Sequence, residues 1–184
     1  MTVGYERLVR TALSAAERRE LNRVDELAEQ LRLHLEGSAP EIDAAHVHRA
    51  PSSAIQSIAS RLLRDQLGFV EELRFDDITL AARPRPDFIF RLADGRGILA
   101  EVERGGTTTN NHDLKDFWKV HISRDAQHLF LIVPHSNWSE SGAPREKPFK
   151  TVTRRLAGFF GEPRREVDVV STHIFGYGRT GVTA

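Results

Sequence analysis

The stretch that decides the fold is PDFIFRLADGRGILAEVERG, residues 86–105. It opens on Pro86-Asp87, runs through two strand-like segments around Ala93-Asp94-Gly95-Arg96, and ends on Glu101-Val102-Glu103. Strand interiors select against Asp and Glu, so three carboxylates in such segments need something that offsets their cost. A turn centred near residue 94 predicts strands over 87–92 and 97–103 and sets Asp87 opposite Glu101. The strand period of two places Glu103 on the same face as Glu101, while Ile98, Ala100 and Val102 fill the other. Three carboxylates therefore converge, and their repulsion raises their pKa values unless a cation intervenes. All-oxygen ligation is what Mg²⁺ prefers, and soft ligands are missing nearby.

Outward from the hairpin, the segment from about His112 to Ser123 predicts a helix, and HLFLIVP at 128–134 reads as a buried strand, apolar on both faces as a central parallel strand is. Together with the strand at 97–103 they make one βαβ unit. Upstream, Ser52 or Ser53 is placed to cap a helix with Ile55, Ile58, Ala59, Leu62 and Leu63 on one face, closing at Gly68. Extended stretches follow at 69–75 and 78–82, broken by Asp76-Asp77. Downstream, Phe149, Val152, Leu156, Phe159 and Phe160 mark a last helix, and EVDVVSTHIF at 166–175 alternates as a final strand. The element order points to an α/β fold, a three-layer α/β/α arrangement with a central mixed sheet.

Residues 5–36 read as helix throughout, with Leu21, Val24, Ala28, Leu31 and Leu35 as an apolar stripe. Three partners would satisfy that stripe: the domain's own core, a helical hairpin turning near Ser14, or a second subunit in a homodimer. The expected organisation is an N-terminal helical arm over residues 1–50 and an α/β domain over 51–184.

These residues resemble the PD-(D/E)xK nuclease superfamily, which includes many type II restriction endonucleases. The likeness rests on Pro86-Asp87, Glu101-Val102-Glu103 and the α-β-β-β-α-β order, from about residue 52 to 134. It implies a restriction endonuclease-like core in which Asp87, Glu101 and the Val102 carbonyl hold Mg²⁺, or Mn²⁺ in its place. The ion polarises a DNA phosphodiester and activates a water, leaving a 5′ phosphate. Most members carry Lys where this chain has Glu103, although some restriction endonucleases use Glu-x-Glu. Either Glu103 binds metal or orients the water itself, or a lysine arrives from elsewhere. Lys115 and Lys119, four apart on the next helix, are half of the chain's four lysines. The alternative is a catalytically inactive member of the same fold, acting as a nucleic-acid or protein binding module.

Arg83 and Arg85 before the motif, Asn110 and Asn111 in the loop after it, and Lys150 and Arg154 on the last helix are the candidate nucleic-acid contacts. Residues 140–165 hold seven Arg or Lys against three acids, a candidate basic face. The whole chain balances 26 basic against 26 acidic side chains, so no overall field advertises a polyanion. His112 or Asn111 is placed to cap the helix beside a substrate phosphate. Eight scattered His lack zinc-site spacing, and no Gly-x-Ser-x-Gly elbow supports serine hydrolysis. Zero Cys excludes thiol chemistry and suits a reducing cytoplasm. No apolar run reaches the ~18 residues that span a bilayer.

Overall fold

A computed structural model describes residues 3–48, 50–71, 85–93 and 95–180. Most of the 69–75 stretch, all of 78–82, and Arg83 lie outside them. The elements are β1 (Gly4–Val9), α1 (Ala15–Gly37), α2 (Ala39–Ala45), α3 (Ser52–Leu63), β2 (Val70–Glu71), β3 (Phe88–Ala93), β4 (Arg96–Val102), α4 (His112–Ile122), β5 (His128–Pro134), β6 (Asn137–Trp138), β7 (Pro144–Glu146), α5 (Pro148–Ala157) and β8 (Ser171–Tyr177).

Six strands form one mixed sheet in the order β1-β8-β5-β4-β3-β2. The β4–β5 and β5–β8 pairs are parallel, and the outer pairs are antiparallel. The parallel pairs follow from helical crossovers, α4 between β4 and β5 and α5 before β8. Ile98, Ala100 and Val102 pack beneath α1, α2 and α3, whereas Ile89, Leu99 and Leu131 pack with Phe117 and Val120 of α4 and Val152 and Leu156 of α5. The sheet is thus covered on both faces, and β5 is buried along its whole length, as its composition predicts.

The hairpin register agrees with the count from the turn: Phe88 faces Ala100 and Ile89 faces Leu99, with a bulge between Arg91 and Ala93. Gly97 is required there, because a Cβ would lie 2.6 Å from the carbonyl oxygens of Phe90 and Asp125. A second pair, Gly4 opposite Gly176, clears the space taken by the Phe149 ring.

The N-terminal reading needs correction. Residues 5–9 are strand, not helix: β1 pairs with β8, and a nonlocal ladder overrides the helical propensity of Glu-Arg-Leu. The helix starts after Ser14, whose side chain closes a capping box with Glu17. Residues 1–50 do not stand apart as an arm, since β1 completes the sheet and the α1 stripe is consumed by the chain's own core. Val24, Leu27, Ala28, Leu31 and Leu35 have no exposed surface. A dimer built on that stripe has no surface left to use. The final strand also begins later than its pattern suggests, at Ser171, and is buried throughout because β1 and β5 flank it and α1 and α5 approach it. Neither Ser52 nor Ser53 caps α3, because Pro51 occupies the N-cap. Among the described residues, no helix is long and apolar enough to cross a membrane.

A directional hydrogen-bond chain fastens α1 and β1 to the sheet. His128 Nε2 donates to Glu20 Oε1 at 2.8 Å, since a carboxylate only accepts, which leaves Nδ1 to accept from the Ser171 hydroxyl at 2.7 Å. Ser171 Oγ then accepts from His173 Nε2 at 3.0 Å, and His173 Nδ1 accepts from the Tyr5 hydroxyl at 2.8 Å. Every link is satisfied with both imidazoles neutral. Burial, reinforced by His128 and Arg7, pushes His173 down to about 3. Glu20, His128 and Ser171 have the order of a hydrolytic triad, but His128 and Ser171 are wholly enclosed and no substrate reaches them. A histidine neutral in the fold and protonated when unfolded contributes stability that is lost as pH falls below about 6.5. The stability difference between wild type and His173→Gln should therefore shrink from about pH 7 to about pH 5, by up to ~1.4 kcal/mol per unit. Urea unfolding at both pH values measures it, and a difference that grows on acidification contradicts the assignment.

Candidate active site

Glu101 sits on β4 with only 3% of its surface exposed, and Asp87 immediately precedes β3. The two are cross-tied: the Asp87 backbone nitrogen donates to Glu101 Oε2 at 3.2 Å, and the Val102 backbone nitrogen donates to Asp87 Oδ2 at 2.8 Å. Val102 is buried beneath α3, so its backbone is a fixed reference for Asp87. The opposition of residues 87 and 101 is thus realised in contacts.

A lysine does arrive from elsewhere. Lys119, on α4, places Nζ 2.8 Å from Glu101 Oε1 and 2.9 Å from Asp116 Oδ1. Lys115 does not join it; exposed, it makes no side-chain hydrogen bond or ion pair among the described residues. The face of α4 toward β4 carries His112, Asp116 and Lys119 at i, i+4 and i+7, the stripe that a helix brings to one side. Glu103, just past the end of β4, accepts from His112 Nδ1 at 2.9 Å, and its backbone carbonyl accepts from the Tyr177 hydroxyl at 2.9 Å.

Among the described residues, Glu101 and Asp116 share the Lys119 ammonium, while Glu103 is paired with His112 and Asp87 accepts from the backbone of Val102. Burial, with Asp116 and Asp87 adding repulsion that Lys119 only partly offsets, pushes Glu101 up to about 8. Burial and the nearby Asp116 likewise push Glu103 up to about 7 against the opposing His112. Asp116 is raised by burial too. Burial works against the Lys119 charge, but Asp116 and Glu101 outweigh it and raise its pKa. Asp116 Oδ2 is buried and has no hydrogen-bond partner among the described residues. Near neutral pH the cluster holds a proton that a cation would displace.

The donor set, all carboxylate oxygen with an orphaned buried Oδ2, fits a hard divalent ion in kind. In the present arrangement, among the described residues, no three His, Asp or Glu side chains converge as a metal cage. Lys119 holds Glu101 and Asp116 in the ion pair instead.

The expected nucleic-acid contacts separate. Arg83 lies outside the described residues, and Arg85, Lys150 and Arg154 are exposed. Asn111 is the N-cap residue of α4, with left-handed backbone, φ 53°, and without a side-chain capping bond; its Oδ1 accepts from Arg155 at 3.3 Å. His112 opens the helix and is committed to Glu103. Asn110 lines a cleft with Arg104 and Trp138. Arg155 ties α5 to wholly buried Asp113 at 3.3 Å. Asp116 was missed altogether; its signal is a polar residue interrupting the apolar face of α4 three positions before Lys119.

Compared with protein-family models and with curated protein sequences, the chain matches none.

Removing the ammonium strands buried carboxylates, so Lys119→Met should cost about 3–5 kcal/mol at about pH 8. The loss should shrink at about pH 5.5, because Glu101 and Glu103, with pKa values raised to about 8 and about 7, are protonated there and need no partner. Chemical denaturation of both proteins at the two pH values reads this difference.

Proposed function

We propose that the chain is a metal-dependent nuclease of the PD-(D/E)xK kind, in which Lys119 of α4 supplies the cation that position 103 lacks. The observation that carries this reading is the 2.8 Å approach of Lys119 Nζ to Glu101, whose other oxygen accepts from the backbone of Asp87. The order α3, β2, β3, β4, α4, β5, antiparallel through β4 and parallel from β4 to β5, supports a restriction endonuclease-like core.

Asp87, Glu101 and the Val102 carbonyl would hold the ion. Bound Mg²⁺ supplies polarisation of the phosphodiester and lowers the pKa of a water. The chain's own residues do the rest. Asp87 and Val102 lock the hairpin so that the carboxylates are presented together. Lys119, 2.8 Å from Glu101, would supply a positive charge beside a bound phosphate. Glu103, with His112 fixing it, accepts a proton at its Oε atoms near neutral pH, the range a general base requires.

A second reading rests on the same ammonium. Lys119 already neutralises Glu101 and Asp116, and a site closed in this way serves an inactive binding module. Plasmid nicking in Mg²⁺ or Mn²⁺ separates the two, with wild type, Asp87→Ala and Lys119→Met compared and metal binding followed by calorimetry. The nuclease reading expects metal-dependent nicking that falls by at least about a hundredfold in either variant. DNA binding without nicking in either metal supports the binding module.

A further inference from the structure

Beside the carboxylates lies a polar cleft of two contiguous lobes, about 400 and about 360 Å³, that share His46, Val47, His48 and Trp138. Each lobe has the size of a small-ligand site. Arg104, the residue after Glu103, lines it, and Tyr177, bonded to the Glu103 carbonyl, packs edge-on against the His46 ring at 5.1 Å. The lining of the cleft thus begins one position along the chain from Glu103.

Three lining residues carry buried polar atoms that have no hydrogen-bond partner among the described residues: Asp43 Oδ1, His46 Nδ1 and Arg104 Nε. His46 Nε2 lies 2.8 Å from the Ser136 carbonyl oxygen, which can only accept, so Nε2 carries the proton and Nδ1 a lone pair. Burial lowers this imidazole's pKa and keeps it neutral. Two acceptors and one donor thus await a ligand with a mixed hydrogen-bonding edge. Trp138 is common to both lobes, and its carbonyl is held by His48 Nδ1 at 3.0 Å. Its indole supplies a stacking surface. At the rim, exposed Arg145 makes no hydrogen bond or ion pair among the described residues, and Arg179 is only loosely paired, 3.8 Å from Asp43. A flat ring with a polar edge and an attached anion answers all of these features at once.

We propose that this cleft binds a nucleotide unit of an unpaired strand, its base against Trp138 and the Asp43, His46 and Arg104 atoms, its phosphate on Arg145. A base inside a duplex cannot turn its edge and one face into such a cleft. Two lobes around one tryptophan take successive nucleotides. The proposal rests on the nuclease reading for its link to the carboxylates, and it narrows the substrate of that site to a single-stranded or extruded segment.

Trp118→Phe leaves Trp138 as the sole tryptophan of the two in the chain, and Trp118 lies on α4 outside the cleft. In EDTA, a short deoxythymidine oligomer should quench Trp138 emission at concentrations at least about tenfold below those needed of a duplex. Polarisation of a labelled oligomer should show Trp138→Leu and Arg145→Ala binding at least about fivefold more weakly. Arg145→Ala, at an exposed position, keeps the test valid if the tryptophan variant does not fold. Quenching by thymidine monophosphate as strong as by the oligomer assigns the cleft to a free nucleotide. No quenching by either, or unchanged binding in both variants, overturns the proposal. Quenching in EDTA without nicking in Mg²⁺ keeps the cleft and sinks the nuclease, and nicking without quenching does the reverse.

Discussion

The site depends on where one ammonium, that of Lys119, falls between two buried carboxyl groups, Glu101 and Asp116. Glu101 cannot leave: β4 is hydrogen-bonded on both sides, to β3 and β5, and the side chain is almost wholly enclosed. A carboxylate so placed must be paired or protonated. Lys119 reaches it only because α4 is docked by Phe117 and Val120 in a register that turns i, i+4 and i+7 toward β4. The crossover that makes β4 and β5 parallel thereby also sets the charge at the carboxyl end of β4. Arg155 extends the same logic to α5, through buried Asp113 at the start of α4.

Two polar clusters lie in the protein, and they differ in kind. The Tyr5, His173, Ser171, His128, Glu20 chain satisfies every donor and acceptor with neutral imidazoles, and Arg96 completes Glu20 at 2.5 Å. Such a network specifies a fold and asks for nothing further. The carboxylate cluster is the opposite. It keeps an orphaned oxygen on Asp116 and two carboxyl groups held far above their ordinary range. Unmet polar capacity at a strand end marks a place where something else binds.

The hairpin was legible because its information is local. A turn signal at residues 93–96 and a period of two are enough to oppose Asp87 and Glu101, and HLFLIVP could only be an interior strand. Lys119 was legible only as one of a pair with Lys115, four apart on the following helix, and the sequence does not say which of the two turns toward Glu101. What failed was nonlocal. Residues 4–9 carry a helix-compatible composition, and only the open edge of β8 makes them a strand. The true extent of β8 was hidden for the same reason, because a strand covered on both faces and both edges gives no polar alternation. The cleft is assembled from residues 43–48, 104–110, 137–146 and 179, four segments that no spacing connects.

On the proposed nuclease reading, glutamate in place of lysine at position 103 has a physical account in this geometry. Such a site would need a positive charge within reach of the Glu101 carboxylate, and the chain position that supplies it would be immaterial to the field at a phosphate. Glu103 accepts from His112 Nδ1 at 2.9 Å and adds a carboxyl group near Asp116. The substitution therefore deepens the negative potential around Glu101.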